Sequence, residues 1–199
     1  MSFELAFQKT IMEHEGGSKV TDYKYDGHIT KYGITQYLLD SYKINRSVKD
    51  FTKHDAKNFY KEFFWTKLRC YRIINFNIAY SLFDFAVNQG HKTAVKRIQE
   101  SVNEFKKRNV LKVDGIIGHN TEKAINDIID YTGFCKIYSK YKLYEYNKDL
   151  TNRLLNKIDS IMSNDLLNNN EKQVMLEKNT KKWFNIHIGW INRTYDTIC

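Results

Sequence analysis

The sequence predicts a mainly α-helical protein, and three observations carry that prediction. Apolar residues recur at three- and four-residue spacing in several separate stretches, no proline interrupts them, and the stretches end at glycines or begin at capping residues. Helical period is absent from Ser18 to Ile34, where glycine, aspartate, tyrosine and lysine alternate as in a loop or small β-hairpin.

Taken in order, Phe3, Phe7 and Ile11, with Ala6 and Thr10 beside them, form a first helical stripe that stops at Gly16-Gly17. Glu15 therefore falls in the last turn or just beyond it. Thr35 is placed to cap a short helix through Tyr42. Thr52 caps another, with Asp55 in capping-box position, and Phe59, Phe63 and Phe64 carry it to about Trp65. Asn77 opens a strongly apolar helix containing Ile78, Leu82, Phe85 and Ala86, and Gly90 is its stop. Residues 92–109 form the next helix, with Val95, Ile98, Val102 and Phe105 on one face. Lys96, Arg97, Lys106, Lys107 and Arg108 give it a basic surface. Two glycines and a turn-forming aspartate make Val113 to Gly118 a tight connection. Helices follow at about 120–131 and 134–162, asparagine-rich 164–170 is a loop, and a last helix spans about 171–193.

Composition bounds the rest. A chain of 199 residues, 42% hydrophobic, buries the core of one domain or two small ones. The net charge of +9 favours a polyanionic partner: nucleic acid, an anionic membrane face or an acidic cell-wall polymer. Cys70, Cys135 and Cys199 show no C-x-x-C spacing and read as reduced thiols rather than a disulfide framework, with one pair left open to form in an oxidising space. The six histidines include no i, i+4 pair, and Ser18 stands where a zinc-protease helix after His14-Glu15 would need its second histidine. No metal and no cofactor is expected. Glu4, Glu13 and Glu15 without a long apolar run argue against a cleavable signal peptide, and no stretch is apolar enough to span a membrane. The sequence thus predicts synthesis in the cytosol.

The chemistry concentrates near the N-terminus. Glycoside hydrolysis needs one protonated acid and one ionised carboxylate across a sugar. Glu15, at the end of an apolar helix, meets the first need, because partial burial and the negative end of the helix dipole both disfavour its charge. Gly16-Gly17 lets the backbone turn away and leaves the side chain facing a cleft. Asp26, in a wetter loop, stays ionised and activates a water that the Thr30 hydroxyl holds. Tyr32, Tyr37 and Trp65 offer aromatic faces to pyranose rings, with a core role open for Trp65. Asp84, inside an apolar helix, either lines the cleft or is a buried aspartate bonded to a neighbouring helix, and Asn88 has the same two readings. Asp114-Gly115 and Gly118 to Thr121 shape a turn and cap the next helix. Trp183 and Trp190 pack the core.

Glu15-Gly16-Gly17 followed by Thr30-Lys31-Tyr32-Gly33-Ile34-Thr35 resembles glycoside hydrolase family 108, the lysozyme-like N-acetylmuramidases of phage lysis cassettes and bacterial secretion loci. The similarity continues through Tyr60, Trp65 and Leu68 into Leu82 to Asn88 and Gly90. Downstream, Ala94-Val95, Gln99, Val113-Asp114-Gly115, Gly118 and Thr121 resemble the peptidoglycan-binding module that accompanies that catalytic part, with Gly189 to Arg193 as its closing motif. The resemblance implies a lysozyme-like helical catalytic domain with a small β lobe over residues 1–90 and a helical peptidoglycan-binding module over 91–199. It implies Glu15 as catalytic acid, Asp26 as its partner with Asp22 as the alternative, and Thr30 beside them. Substrate contacts fall on Tyr32, Gln36, Trp65, Asp84 and Asn88. The loop departs from the family pattern: Asp26-Gly27-His28-Ile29-Thr30 is one residue shorter, with a histidine for a glycine, and Ser18 replaces an aromatic.

The implied activity is cleavage of the β-1,4 bond between N-acetylmuramic acid and N-acetylglucosamine by a monomer that needs no cofactor. Its partner is the peptidoglycan glycan strand, without nucleic acid and without membrane insertion, and it acts in the periplasm or wall after holin-type or dedicated export. The alternative is a catalytically impaired peptidoglycan-binding protein that assists secretion or localisation, for which the altered loop is the only support.

Overall fold

A computed structural model describes residues 3–14, 17–18, 20–22 and 29–196. The fold is mainly α, with one small sheet, as the periodicity predicts. Helix α1 (Phe3–Phe7) runs straight into a π-helical segment (Gln8–His14). Its buried stripe is Phe3, Ala6, Phe7, Thr10 and Ile11. Strands β1 (Thr21–Asp22), β2 (Ile29–Lys31) and β3 (Ile34–Thr35) form an antiparallel sheet in that order. Thr21 lies opposite Thr30, and Thr30 opposite Thr35. Lys31 opposite Ile34 leaves Tyr32 and Gly33 as a two-residue turn with φ of 55° and 72°. Two positive φ values in succession are what a type I′ hairpin turn demands.

Helix α2 (Gln36–Ser41) starts at Thr35, whose hydroxyl accepts the Leu38 N–H at 3.1 Å. Helix α3 (Lys53–Tyr60) continues as a second π-helical segment (Lys61–Thr66) and opens on the Thr52–Asp55 capping box. Both caps stand where the sequence predicts them. Helix α4 (Phe76–Gln89) starts one turn-residue pair earlier than expected, because Asn75, not Asn77, accepts the Ile78 N–H at 3.1 Å. Every residue from Ile78 to Ala86 is buried, so α4 is apolar all round and forms the centre of the core. Phe83 on α4 meets Phe3, Tyr60 and Trp65 with ring centroids 5.7–6.3 Å apart, near edge-to-face for all three.

Gly90, at φ 79°, is the single residue between α4 and α5 (His91–Phe105). Helix α5 ends four residues short of the prediction. The Asn103 side chain donates to the Leu111 carbonyl at 2.8 Å and accepts its N–H at 2.9 Å, drawing the chain back, while Lys107 turns left-handed at φ 51°. Helix α6 (His119–Asn126) also stops early. The Asn126 amide accepts the Ile74 N–H and donates to the Arg72 carbonyl, both at 2.9 Å, and Asp130 then caps α7 (Tyr131–Met162) through the Gly133 N–H at 2.9 Å. Helix α8 (Asn169–Asp196) opens on a reciprocal pair: Asn168 accepts the Glu171 N–H while Glu171 accepts the Asn168 N–H.

Helices α7 and α8 pack antiparallel. Tyr146 stacks on Trp190 at 5.0 Å, and near the turn Lys172 donates to the Met162 carbonyl at 2.9 Å. Trp190 is thus a packing residue, as expected. Of the cysteines, Cys70 is a free, buried thiol as the sequence reading expects, whereas Cys135 is disulfide-bonded, the outcome left open for one pair. Buried residues on both sides of Gly90 join one core cluster, which includes Phe83, Phe85, Ile98, Phe134 and Tyr138.

Candidate active site

The proposed acid follows directly on the π-helical segment, and the described residues around position 15 show how that end of the helix is fixed. Gly17, at φ 59°, donates its N–H to the Ile11 carbonyl at 3.2 Å, closing the helix across the Glu15 position. The Gly17 carbonyl accepts the Tyr32 N–H at 3.0 Å, and the Tyr32 carbonyl accepts the Tyr60 hydroxyl at 3.0 Å. The hairpin turn is therefore held from the helix end on one side and from α3 on the other. Glu15 itself, and Asp26 and His28 of the loop, lie outside the described residues. Asp22 lies in β1 opposite Ile29, and Thr30 sits half-buried in the middle strand between Thr21 and Thr35.

The other predicted contacts separate into those near this turn and those away from it. Tyr32 is buried, with the Lys31 ammonium 5.8 Å from its ring, and Tyr37 is three-quarters exposed on α2. Gln36 uses its whole amide within the fold: Nε2 donates to Asp40 at 2.9 Å and to the Arg46 carbonyl at 3.1 Å, and Oε1 accepts the Val48 N–H at 2.9 Å. The Arg46 guanidinium in turn holds Asp55 at 3.0 Å, and together with the Thr52 hydroxyl and N–H it keeps that carboxyl well below the usual carboxylate range. The network ties α2 to α3 under the hairpin.

Asp84 has no exposed surface and accepts the buried Thr10 hydroxyl at 3.0 Å. Its geometry is the interhelical one of the two readings. Asn88, one turn on and half-buried, donates to the Asp84 carbonyl at 2.8 Å. Trp65 packs on Phe3 at 5.9 Å, at the start of α1, and is only 6% exposed. The other end of that helical run, at His14, is roughly 16 Å away at the rise of a helix. Trp65 lines a separate depression of about 560 Å³, with Phe3, Ile73 and Phe76. The structure thus brings Tyr32, Thr30 and the Gly17 corner together, and sets Trp65 apart with the core.

Sequence reasoning missed Thr10 and the hydroxyl of Tyr60. The signal for Thr10 was a polar residue at a core position of the first stripe. Tyr60 had no local signal, since its partner lies 28 residues away. Downstream, Gln99 builds the 113–121 turn as expected of Asp114-Gly115. Its Nε2 donates to Asp114 and to the Ile116 carbonyl, each at 3.0 Å, and its Oε1 accepts the Gly115 N–H at 3.0 Å. Gly115, at φ 78°, leaves no room for a Cβ, which would stand 2.9 Å from Lys92 Cγ. Among the described residues no group of three or more His, Cys, Asp or Glu is arranged to hold a metal, and no helix is long and apolar enough to cross a membrane.

A helix end closed by glycine is thus bound to a small antiparallel sheet. Residues 8–90 match the family model described as Glycosyl hydrolase 108. The structure of Brucella abortus SagA shares the fold: 23% identity, 76% of this chain and 88% of that chain covered, TM-score 0.59. No curated protein matches the chain.

Proposed function

We propose that the protein is a peptidoglycan hydrolase of lysozyme type, cleaving the β-1,4 bond between N-acetylmuramic acid and N-acetylglucosamine. The match of residues 8–90 to the glycoside hydrolase model carries this reading, and the Gly17–Tyr32 bond beside position 15 supports it. Glu15 protonates the leaving oxygen, and Asp26 or Asp22, with Thr30, handles the water. Residues 1–90 form the catalytic unit and residues 91–199 a helical unit that holds the wall. The protein works as a monomer in the periplasm or wall, after holin-type or dedicated export.

Glu15→Gln is the test. It keeps the fold and removes clearing of purified peptidoglycan, since a positioned acid is worth about 10²–10⁴ in rate. Clearing at near wild-type rate would sink the assignment. Mass analysis of the digest fixes the bond: reducing-end muramic acid supports the muramidase reading, an anhydro product points to transglycosylation, and reducing-end glucosamine to a glucosaminidase.

A further inference from the structure

Two depressions, of about 580 and 350 Å³, share Glu100 and Val113 and so form one groove along α5, between the 107–113 return and α7. We infer that this groove binds an extended peptide bearing carboxylates, the chemistry of a peptidoglycan stem peptide. The inference rests on the proposed function and goes beyond it to a second site on the chain.

The charges are sorted. Each acid of the lining already has a partner: Glu100 and Glu145 accept from Arg97, and Glu104 accepts from Lys140 at 2.8 Å and from the Tyr141 hydroxyl at 2.9 Å. Lys96, Lys107 and Arg108 line the same groove and have no acid partner among the described residues. Arg97 serves two carboxylates and Lys140 one, so with Lys96, Lys107 and Arg108 the groove carries a net charge of +2.

The backbone that carries two of these cations is also held in place. Lys107 sits in the left-handed region at φ 51°, the Arg108 N–H donates to the Asn103 carbonyl at 3.1 Å, and Asn103 clips Leu111 with two bonds. A backbone fixed this way presents Lys107 and Arg108 without first having to order a loop, which lowers the entropic cost of binding. Lys96 to Lys107 is 11 residues of mostly helical chain, about 16 Å at the helical rise, or the length of four to five extended residues.

The lining selects against the other polyanions of a wall. A dense polyphosphate would run past Glu100, Glu104 and Glu145, whereas a stem peptide carries an ammonium as well as carboxylates and suits a mixed surface. Sugar rings need an open aromatic face. Tyr141 offers none, since its hydroxyl is on Glu104 and the Arg97 guanidinium stands 5.9 Å from its ring.

The test uses the full chain and calorimetry with three soluble probes: a free tetrapeptide stem, the stem-free disaccharide of N-acetylglucosamine and N-acetylmuramic acid, and a wall teichoic acid polyphosphate. The tetrapeptide binds, and its affinity falls about tenfold when Lys107→Glu is combined with Arg108→Glu, on the usual strength of exposed ion pairs. Raising the salt weakens it as well. Lys107→Arg with Arg108→Lys restores binding, and the melting curve of each variant checks its fold. No tetrapeptide binding, unchanged affinity in the folded charge-reversed variant, or tighter binding of the polyphosphate overturns the inference. Cleavage of stem-free glycan strands by the wild-type chain is scored separately: its absence sinks the proposed function and leaves peptide binding standing.

Discussion

Thr10 and Asp84 are 74 residues apart in the chain and 3.0 Å apart in the fold, the threonine hydroxyl donating to Asp84 Oδ1 with neither side chain exposed. The pair locks the π-helical segment that leads to position 15 against the central helix α4. Thr10→Val removes one buried donor from the Asp84 carboxylate and keeps the shape. That costs about 1–3 kcal/mol. Urea denaturation measures it, and Thr10→Ser, which keeps the hydroxyl, recovers most of the loss.

Gly17 is the corner of the site. An alanine there is forced to φ 59°, and its Cβ stands 3.3 Å from Met12 Cε. Gly17→Ala therefore lowers stability by about 1–2 kcal/mol. It also loosens the bonds to Ile11 and Tyr32, so wall clearing falls by more than the melting temperature alone accounts for. A variant with lower melting temperature and undiminished clearing at 25 °C separates the corner from the site.

Glu122 gives the fold an acid limit. Burial pushes its carboxyl up, but Arg69 at 2.8 Å and Arg72 at 2.8 Å more than offset this, and its pKa lies below the ordinary value. A depressed carboxyl pKa contributes stability that is fully present above the unfolded value, near 4.3 for Glu, and is lost as pH falls through the folded value. Unfolding midpoints measured from pH 6 down to pH 3 fall steeply in the wild type below about pH 4. Glu122→Gln is less stable at pH 6 and has a flatter slope over that range.

Cys70 is an inert thiol. It is fully enclosed, donates to the Ala79 carbonyl at 3.6 Å, and burial pushes its pKa well up, so thiolate is scarce at neutral pH. A thiol reagent leaves Cys70 unlabelled in the native protein and labels it on unfolding, as peptide mapping reads. Labelling at the rate of a free cysteine contradicts the burial.

Gln99 is 1% exposed and serves Asp114, Gly115 and Ile116 at once. Gln99→Leu strips these groups of their partner, so stability drops by about 2–4 kcal/mol. Hydrogen exchange rises first in residues 113–121.

What the sequence revealed was local. Thr35, the Thr52–Asp55 box and Gly90 signal through neighbours three or four residues away, and each is where the pattern puts it. Boundaries set by distant partners were hidden: Asn103 ends α5 through Leu111, and Asn126 ends α6 through Ile74 and Arg72. The candidate site divides in the same way. The motif from Thr30 to Thr35 marked the hairpin, but residue type could not tell that Gln36 spends its amide inside the fold or that Trp65 belongs to the start of α1. The disulfide at Cys135 likewise left no C-x-x-C trace in the sequence.

Gly90 is the whole connection between α4 and α5. Units joined by a long flexible tether search for their targets independently and gain from a high local concentration. A joint one residue long allows no such search. If the first unit cuts glycan and the second holds the wall, the protein behaves as a calliper, and the scissile bond lies at a set distance from the point of grip.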